Sequence, residues 1–131
     1  MKYDALEVSA SFPVSARALY EAWLDAEAHA AMTGSPATSE PVPGGAFTAW
    51  EGYIEGRHTA LEPHRRIVQA WRSGDFPEGA EDSVLEVHFR EADGVTTVTI
   101  RHHHIPEGQG PGYEQGWEDF YFAPMRAHFR G

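Results

Sequence analysis

Cysteine is absent from the 131 residues, which excludes a disulfide framework, a thiolate nucleophile and thiolate-bound zinc. Basic residues are scarce: ten Lys plus Arg stand against twenty Asp plus Glu, a formal charge of -10. That charge repels phosphate backbones and anionic lipid headgroups within about a Debye length, roughly 8 Å at physiological salt. Neither nucleic acid nor a membrane is therefore an expected partner. No apolar run is long enough to act as a signal peptide or to span a bilayer, and with the missing cysteine this makes the cytoplasm the expected location. Internal repeats, linkers and low-complexity tails are also missing.

What is present suits one globular domain over residues 1–131. Apolar residues make up 41% and aromatic residues 12%, with four Trp, seven Phe and five Tyr, so disorder or a fibrous repeat is a poor description. A chain of this length buries roughly two-thirds of its unfolded surface, enough for one substantial core or pocket.

Leu6, Val8, Ala10 and Phe12 alternate with Glu7, Ser9 and Ser11, the period of a strand with one dry face. Pro13 ends it. Ser15 is placed to cap a helix carrying Leu19, Tyr20, Trp23 and Leu24 on one side, and Asp25 to cap a second short helix through Met32. Thr33 to Gly45, rich in Gly, Pro, Ser and Thr, reads as a loop. Period two then returns in five segments, Ala46 to Trp50, Tyr53 to Leu61, Arg66 to Arg72, Val84 to Arg90 and Val95 to Ile105. Short turns between most of them make a meander. A helix from about Gly112 to Phe129 closes the chain with an apolar stripe through Tyr113, Trp117, Phe120, Tyr121, Pro124, Met125 and His128. Pro124 lacks an N–H and crowds the carbonyl of Phe120, so a bend is expected there rather than a helix end. The order β-α-α-β-β-β-β-β-α gives an α+β fold: a curved, six-stranded antiparallel sheet around a long C-terminal helix.

Five segments carry a resemblance: Pro43-Gly44-Gly45-Ala46-Phe47, Trp50 to Arg57 (WEGYIEGR), Arg66 to Arg72 (RIVQAWR), Thr97 to Pro106, and Gly116-Trp117 with Phe120 to Met125 (FYFAPM). In that order and spacing the chain resembles the family of homologues of the activator of heat-shock protein 90 ATPase, within the START-like (SRPBCC) superfamily. The resemblance spans nearly the whole chain. It implies a helix-grip fold, whose relatives hold lipids, hormones or polyketides between sheet and helix, or act as co-chaperone domains in the stress response. The full-length co-chaperone is similar to this chain only in its C-terminal domain, so direct stimulation of a chaperone ATPase is a minor expectation.

The expected ligand-contacting set is Ile54, His58, Trp71, Val87, Phe89, Ile100, His102, Trp117, Phe120, Tyr121 and Met125. Small inward residues such as Gly56 and Ala60 would leave room beside it. A void of ~100 Å³ would cost ~2 kcal/mol at about 24 cal/mol per Å³, so an apolar guest or ordered water should fill it. In the run His102-His103-His104, strand parity turns His102 and His104 inward with Val98 and Ile100, and His58 shares the parity of Ile54. Three converging imidazoles with an open position would describe a catalytic zinc. Histidines on a sheet more often bond a carbonyl, a water or a ligand, so no metal and no cofactor is assigned. Glu51 and Glu55 read as solvated, and no catalytic residue is assigned. Asp75, Glu78, Glu81 and Asp82 lack calcium-loop spacing and read as a solvated loop. The leading expectation is a non-enzymatic domain for a small hydrophobic molecule. A chaperone-binding module and a cyclase- or hydrolase-like enzyme using pocket histidines are the alternatives, and monomer or homodimer stays open.

Overall fold

The computed structural model describes residues 2–129. Strand β1 (Tyr3–Phe12) leads into α1 (Ala16–Leu24) and α2 (Ala26–Thr33); β2 (Thr38–Ser39), β3 (Ala46–Ala49), β4 (Ile54–Glu62), β5 (Arg66–Ser73), β6 (Ser83–Ala92) and β7 (Val95–Pro106) follow. The last segment runs α3 (Gly110–Trp117), a π-helical turn (Glu118–Phe122) and α4 (Ala123–His128). The strands form one antiparallel sheet in the order β1-β7-β6-β5-β4-β3-β2. There are seven rather than the expected six, because Thr38 and Ser39 pair with Thr48 and Phe47 inside the segment read as a loop. Two residues are too few to show a period.

The helix starts follow from side-chain chemistry. Ser15 Oγ accepts from the Ala18 N–H at 3.1 Å and Asp25 Oδ2 from the Ala28 N–H at 2.8 Å, each satisfying a donor that the first turn leaves unpaired. The closing helix starts at Gly110, two residues before the expected Gly112. There Asp4 Oδ2 accepts from both the Gly108 and Gly110 N–H at 2.9 Å, so β1 supplies the carboxylate that anchors the start of α3.

Pro124 does not end this helix; it is the second residue of α4. The turn before it widens, and the Ala123 N–H bonds back five residues to the Glu118 carbonyl. A proline has no N–H for the regular ladder, and an inserted π turn is a recognised way of accommodating that mismatch.

The sheet's inner face supplies Ile67, Leu85, Val87, Phe89, Val98 and Ile100 to the core, where α1 adds Leu19, Tyr20, Trp23 and Leu24 and the last helix Trp117, Tyr121, Phe122 and Met125. The strand parity of the histidine run needs one correction. His102 is inward and fully buried, but His104 adopts a left-handed backbone (φ 61°) at a shift of register between β1 and β7. That bulge passes the inward position to Ile105 and leaves His104 stacked on Tyr3, ring centroids 3.7 Å apart.

Candidate functional site

Two runs assigned to strands from the sequence end early, and the residues shed at their ends overhang the site. Ala49 pairs with Ile54, so Trp50, Glu51, Gly52 and Tyr53 form a four-residue hairpin loop. Trp50 (φ 52°), Glu51 (φ 58°) and Gly52 (φ 87°) are all left-handed, a conformation that costs each non-glycine residue roughly 1 kcal/mol. Backbone strain of this kind concentrates at functional sites. The loop sets the Trp50 ring edge-on to Phe120, centroids 5.2 Å apart.

Beneath that pair lies a cleft of about 760 Å³ between the β3–β4 loop, the end of β5 and the face of α3. Trp71, Trp117 and Tyr121 are buried in its lining, whereas Tyr53 and Phe120 are 43% and 53% exposed. Gly108, Gly112 and Gly116 put bare backbone along one wall. Seven of the thirteen lining residues are aromatic, with Trp71 and Trp117 ring centroids 5.9 Å apart and Trp117 and Tyr121 4.8 Å apart. Aromatic pairs at such separations contribute beyond the area they bury.

One wall is polar, and its groups satisfy one another in a closed circuit. The Asp75 N–H donates to Ser73 Oγ at 3.1 Å, the Ser73 hydroxyl to Tyr113 Oη, the Tyr113 hydroxyl to Gln109 Oε1 at 2.8 Å, and Gln109 Nε2 back to the Asp75 carbonyl at 2.9 Å. Burial pushes the Tyr113 hydroxyl up to about 12, so it remains a neutral donor. The Tyr53 hydroxyl, also raised by burial and then by Asp75, donates to Asp75 Oδ2.

Of the expected set, Ile54, Trp71, Trp117, Phe120 and Tyr121 line this cleft. His58, Val87, Phe89, Ile100, His102 and Met125 do not. Phe89 packs edge-on against Tyr20 and Trp23 of α1, at 5.9 and 6.4 Å, and Val87, Ile100 and Met125 are fully buried core. Gly56 is also absent from the lining, and its smallness has another cause. A Cβ there would meet the Ala70 carbonyl oxygen at 1.8 Å, so glycine permits the close approach of β5.

The interior histidines are separate and internally satisfied. His102 Nδ1 accepts from the Trp117 indole N–H at 3.3 Å; its Nε2–H donates to Ser83 Oγ at 2.8 Å, and the Ser83 hydroxyl donates to the Trp71 carbonyl at 2.7 Å. An indole N–H can only donate and a carbonyl can only accept, so both ends fix the tautomer. Burial, helped by the neighbouring His103 charge, holds His102 down at about 3.

His58 bonds Ser39 Oγ at 3.1 Å and Gln69 Nε2 at 3.3 Å, beside a void of about 10 Å³, room for about one water. A third buried imidazole, His29, lay unremarked in the sequence. Its Nδ1–H donates to the Trp23 carbonyl and its Nε2 accepts from the Tyr121 hydroxyl, both at 2.9 Å. Burial lowers the pKa of His29 and His58, the latter also through His29, and raises that of Tyr121. Among the described residues no group of three His, Cys, Asp or Glu is placed to hold a metal ion.

The sequence reading missed Trp50, Tyr53, Asp75, Gln109 and Tyr113 as cleft residues. Tyr113 stood in the helical stripe and was recoverable from it; Trp50, Tyr53 and Asp75 depend on loops whose paths carry no period.

An antiparallel sheet with two early helices and a C-terminal helix against its inner face defines the helix-grip class of α+β proteins. Within that class, the model of the family described as activator of Hsp90 ATPase homolog 1-like protein matches residues 13–130, and the chain belongs to this family. The Homo sapiens activator of 90 kDa heat shock protein ATPase homolog 1 is 31% identical over 119 residues, 91% of this chain. The chain spans only 35% of that relative's length. Among solved structures, an HSP90 activator from Plasmodium falciparum superposes with a TM-score of 0.84 at 23% identity, covering 94% of each chain. The Aha1 dimer from Colwellia psychrerythraea gives 0.79 at 14%, covering 96% of each. Both likenesses establish the fold.

Proposed function

We propose that this chain is a non-catalytic binding domain whose aromatic cleft takes a small hydrophobic molecule. The observation that carries this reading is the pairing of about 760 Å³ of cleft with seven aromatic lining residues, a concave and mostly apolar surface with few polar groups. The interior histidines weigh against a hydrolase- or cyclase-like alternative. Each has both ring nitrogens engaged, and burial holds His102 at about 3, whereas an effective general base is poised near the working pH.

Tryptophan emission supplies the test, since Trp50, Trp71 and Trp117 all line the cleft. The neutral fluorophore N-phenyl-1-naphthylamine should bind saturably near one equivalent and accept energy from these indoles. A purely linear, unsaturable response would overturn the reading.

A second reading is that the domain acts as a chaperone-interaction module in the cytoplasm during stress. Family membership and the names of its relatives as activators of heat-shock protein 90 favour it. Retention of that chaperone by immobilised domain, with a changed ATPase rate, would support it; neither effect at tens of micromolar would remove it. The Colwellia relative is a dimer, and sedimentation would decide between monomer and homodimer here.

A further inference from the structure

Resting on the cleft reading above, we infer that the preferred ligand is a cation: a hydrophobic molecule, aromatic or alkyl, bearing an amine or quaternary ammonium group that sits beside Asp75.

The circuit through Ser73, Tyr113 and Gln109 closes on the backbone of Asp75 and uses each of those hydroxyl protons internally. The Tyr53 hydroxyl is spent on Asp75 Oδ2. What remains is Oδ1 of the exposed Asp75: among the described residues it is an acceptor with no bond partner, on the only formally charged side chain in the lining. Among the described residues Asp75 has no ion-pair partner, and no Lys, Arg or His lines the cleft.

A carboxylic acid ligand would therefore meet a like charge, and a neutral alcohol would gain one hydrogen bond at most. A cation gains the carboxylate and the negative faces of the surrounding rings. Ammonium groups are held in this way by cages of Trp and Tyr. The Tyr53 hydroxyl bonds the carboxylate and Tyr113 joins the circuit beside it, and Trp50, Trp71 and Phe120 line the same volume. The chain's charge of -10 biases encounter in the same direction.

Competition against N-phenyl-1-naphthylamine, at pH 7 and about 0.15 M salt to screen the general field, separates the terms. The competitors are three molecules with one ring system: 1-naphthylmethylamine, 1-naphthylmethanol and 1-naphthoate. The amine should compete about tenfold better than the alcohol, the order supplied by an exposed cation–aromatic contact together with an exposed ion pair, and the acid should compete worst. Asp75→Asn, whose amide oxygen still accepts from Tyr53, should weaken the amine much more than the alcohol and so abolish the preference between them. Glu27→Gln removes the same charge from exposed α2, away from the cleft, and should leave the preference intact. Equal competition by amine and alcohol, or equal loss in both variants, overturns the inference and leaves the hydrophobic cleft standing. Failure of the fluorophore to bind at all overturns both.

Discussion

The Trp117 indole N–H donates to His102 Nδ1 across 3.3 Å, so a single hydrogen bond ties the closing helix to the centre of β7. It is the outer end of a directed chain that continues through Ser83 to the carbonyl of Trp71, and Trp71 and Trp117 both line the cleft. The cleft lining is thus positioned from behind by a buried polar line. We expect Trp117→Phe to cost about 1–3 kcal/mol, because it leaves the buried His102 acceptor unpaired as well as removing ring area. Urea denaturation measures this, and an unchanged midpoint would show that the bond contributes nothing.

The same histidine makes stability depend on acid. The folded chain keeps His102 neutral down to about pH 3, whereas the ordinary imidazole takes up its proton near 6.5. Between those values the unfolded state binds more protons, so stability is complete above about pH 6.5 and declines as pH falls toward 3. The accumulated loss is on the order of 5 kcal/mol at the acid limit, and His29 and His58 act in the same direction. His102→Gln, which can still donate and accept, should flatten the fall in urea midpoint between pH 6.5 and 4. Identical slopes in the two proteins would rule out His102 as the source.

Two glycines should answer oppositely to alanine. Gly56→Ala drives a Cβ into the Ala70 carbonyl oxygen, and rigid backbone cannot step aside, so a loss above about 2 kcal/mol is expected. At Gly112 in α3 a Cβ meets nothing within 4 Å, and helix propensity favours alanine by up to about 1 kcal/mol. Thermal melts of both variants give the comparison; a harmless Gly56→Ala would mean that β4 and β5 separate easily.

Phe120 offers a way to change the site without the fold. It is half exposed at the cleft mouth and touches the Trp50 ring, so Phe120→Ala should shift stability by less than about 1 kcal/mol. Affinity for N-phenyl-1-naphthylamine should nonetheless fall several-fold, read by fluorescence titration. Full affinity in this variant would place the fluorophore elsewhere.

Much of the architecture was legible because period alone specifies which face is dry. Leu6 to Phe12, Arg66 to Arg72 and Val84 to Arg90 follow their expected alternation, and Ser15 and Asp25 cap the helices where hydrogen-bond chemistry puts them. The failures fall where period is broken. A bulge at His104 turns that ring outward, and a left-handed hairpin lifts Trp50 and Tyr53 out of their strands. For the candidate site, inward parity correctly identified buried side chains such as Val87 and Ile100. It did not distinguish those covered by α1 from those left open at the far end, because that depends on where the helices lie across the sheet.

The π turn at Glu118–Phe122 has a geometric corollary. It fits one more residue into a single revolution than a regular helix holds, so every side chain beyond it is offset by about a hundred degrees from the direction an unbroken spiral would give. Within the turn, successive side chains serve different territories: Phe120 borders the mouth, Tyr121 reaches the imidazole of His29, and Phe122 meets Phe12 of the first strand. Deleting any one residue of that turn would restore a regular spiral and force the molecule to keep either its mouth or its anchorage to β1, but not both.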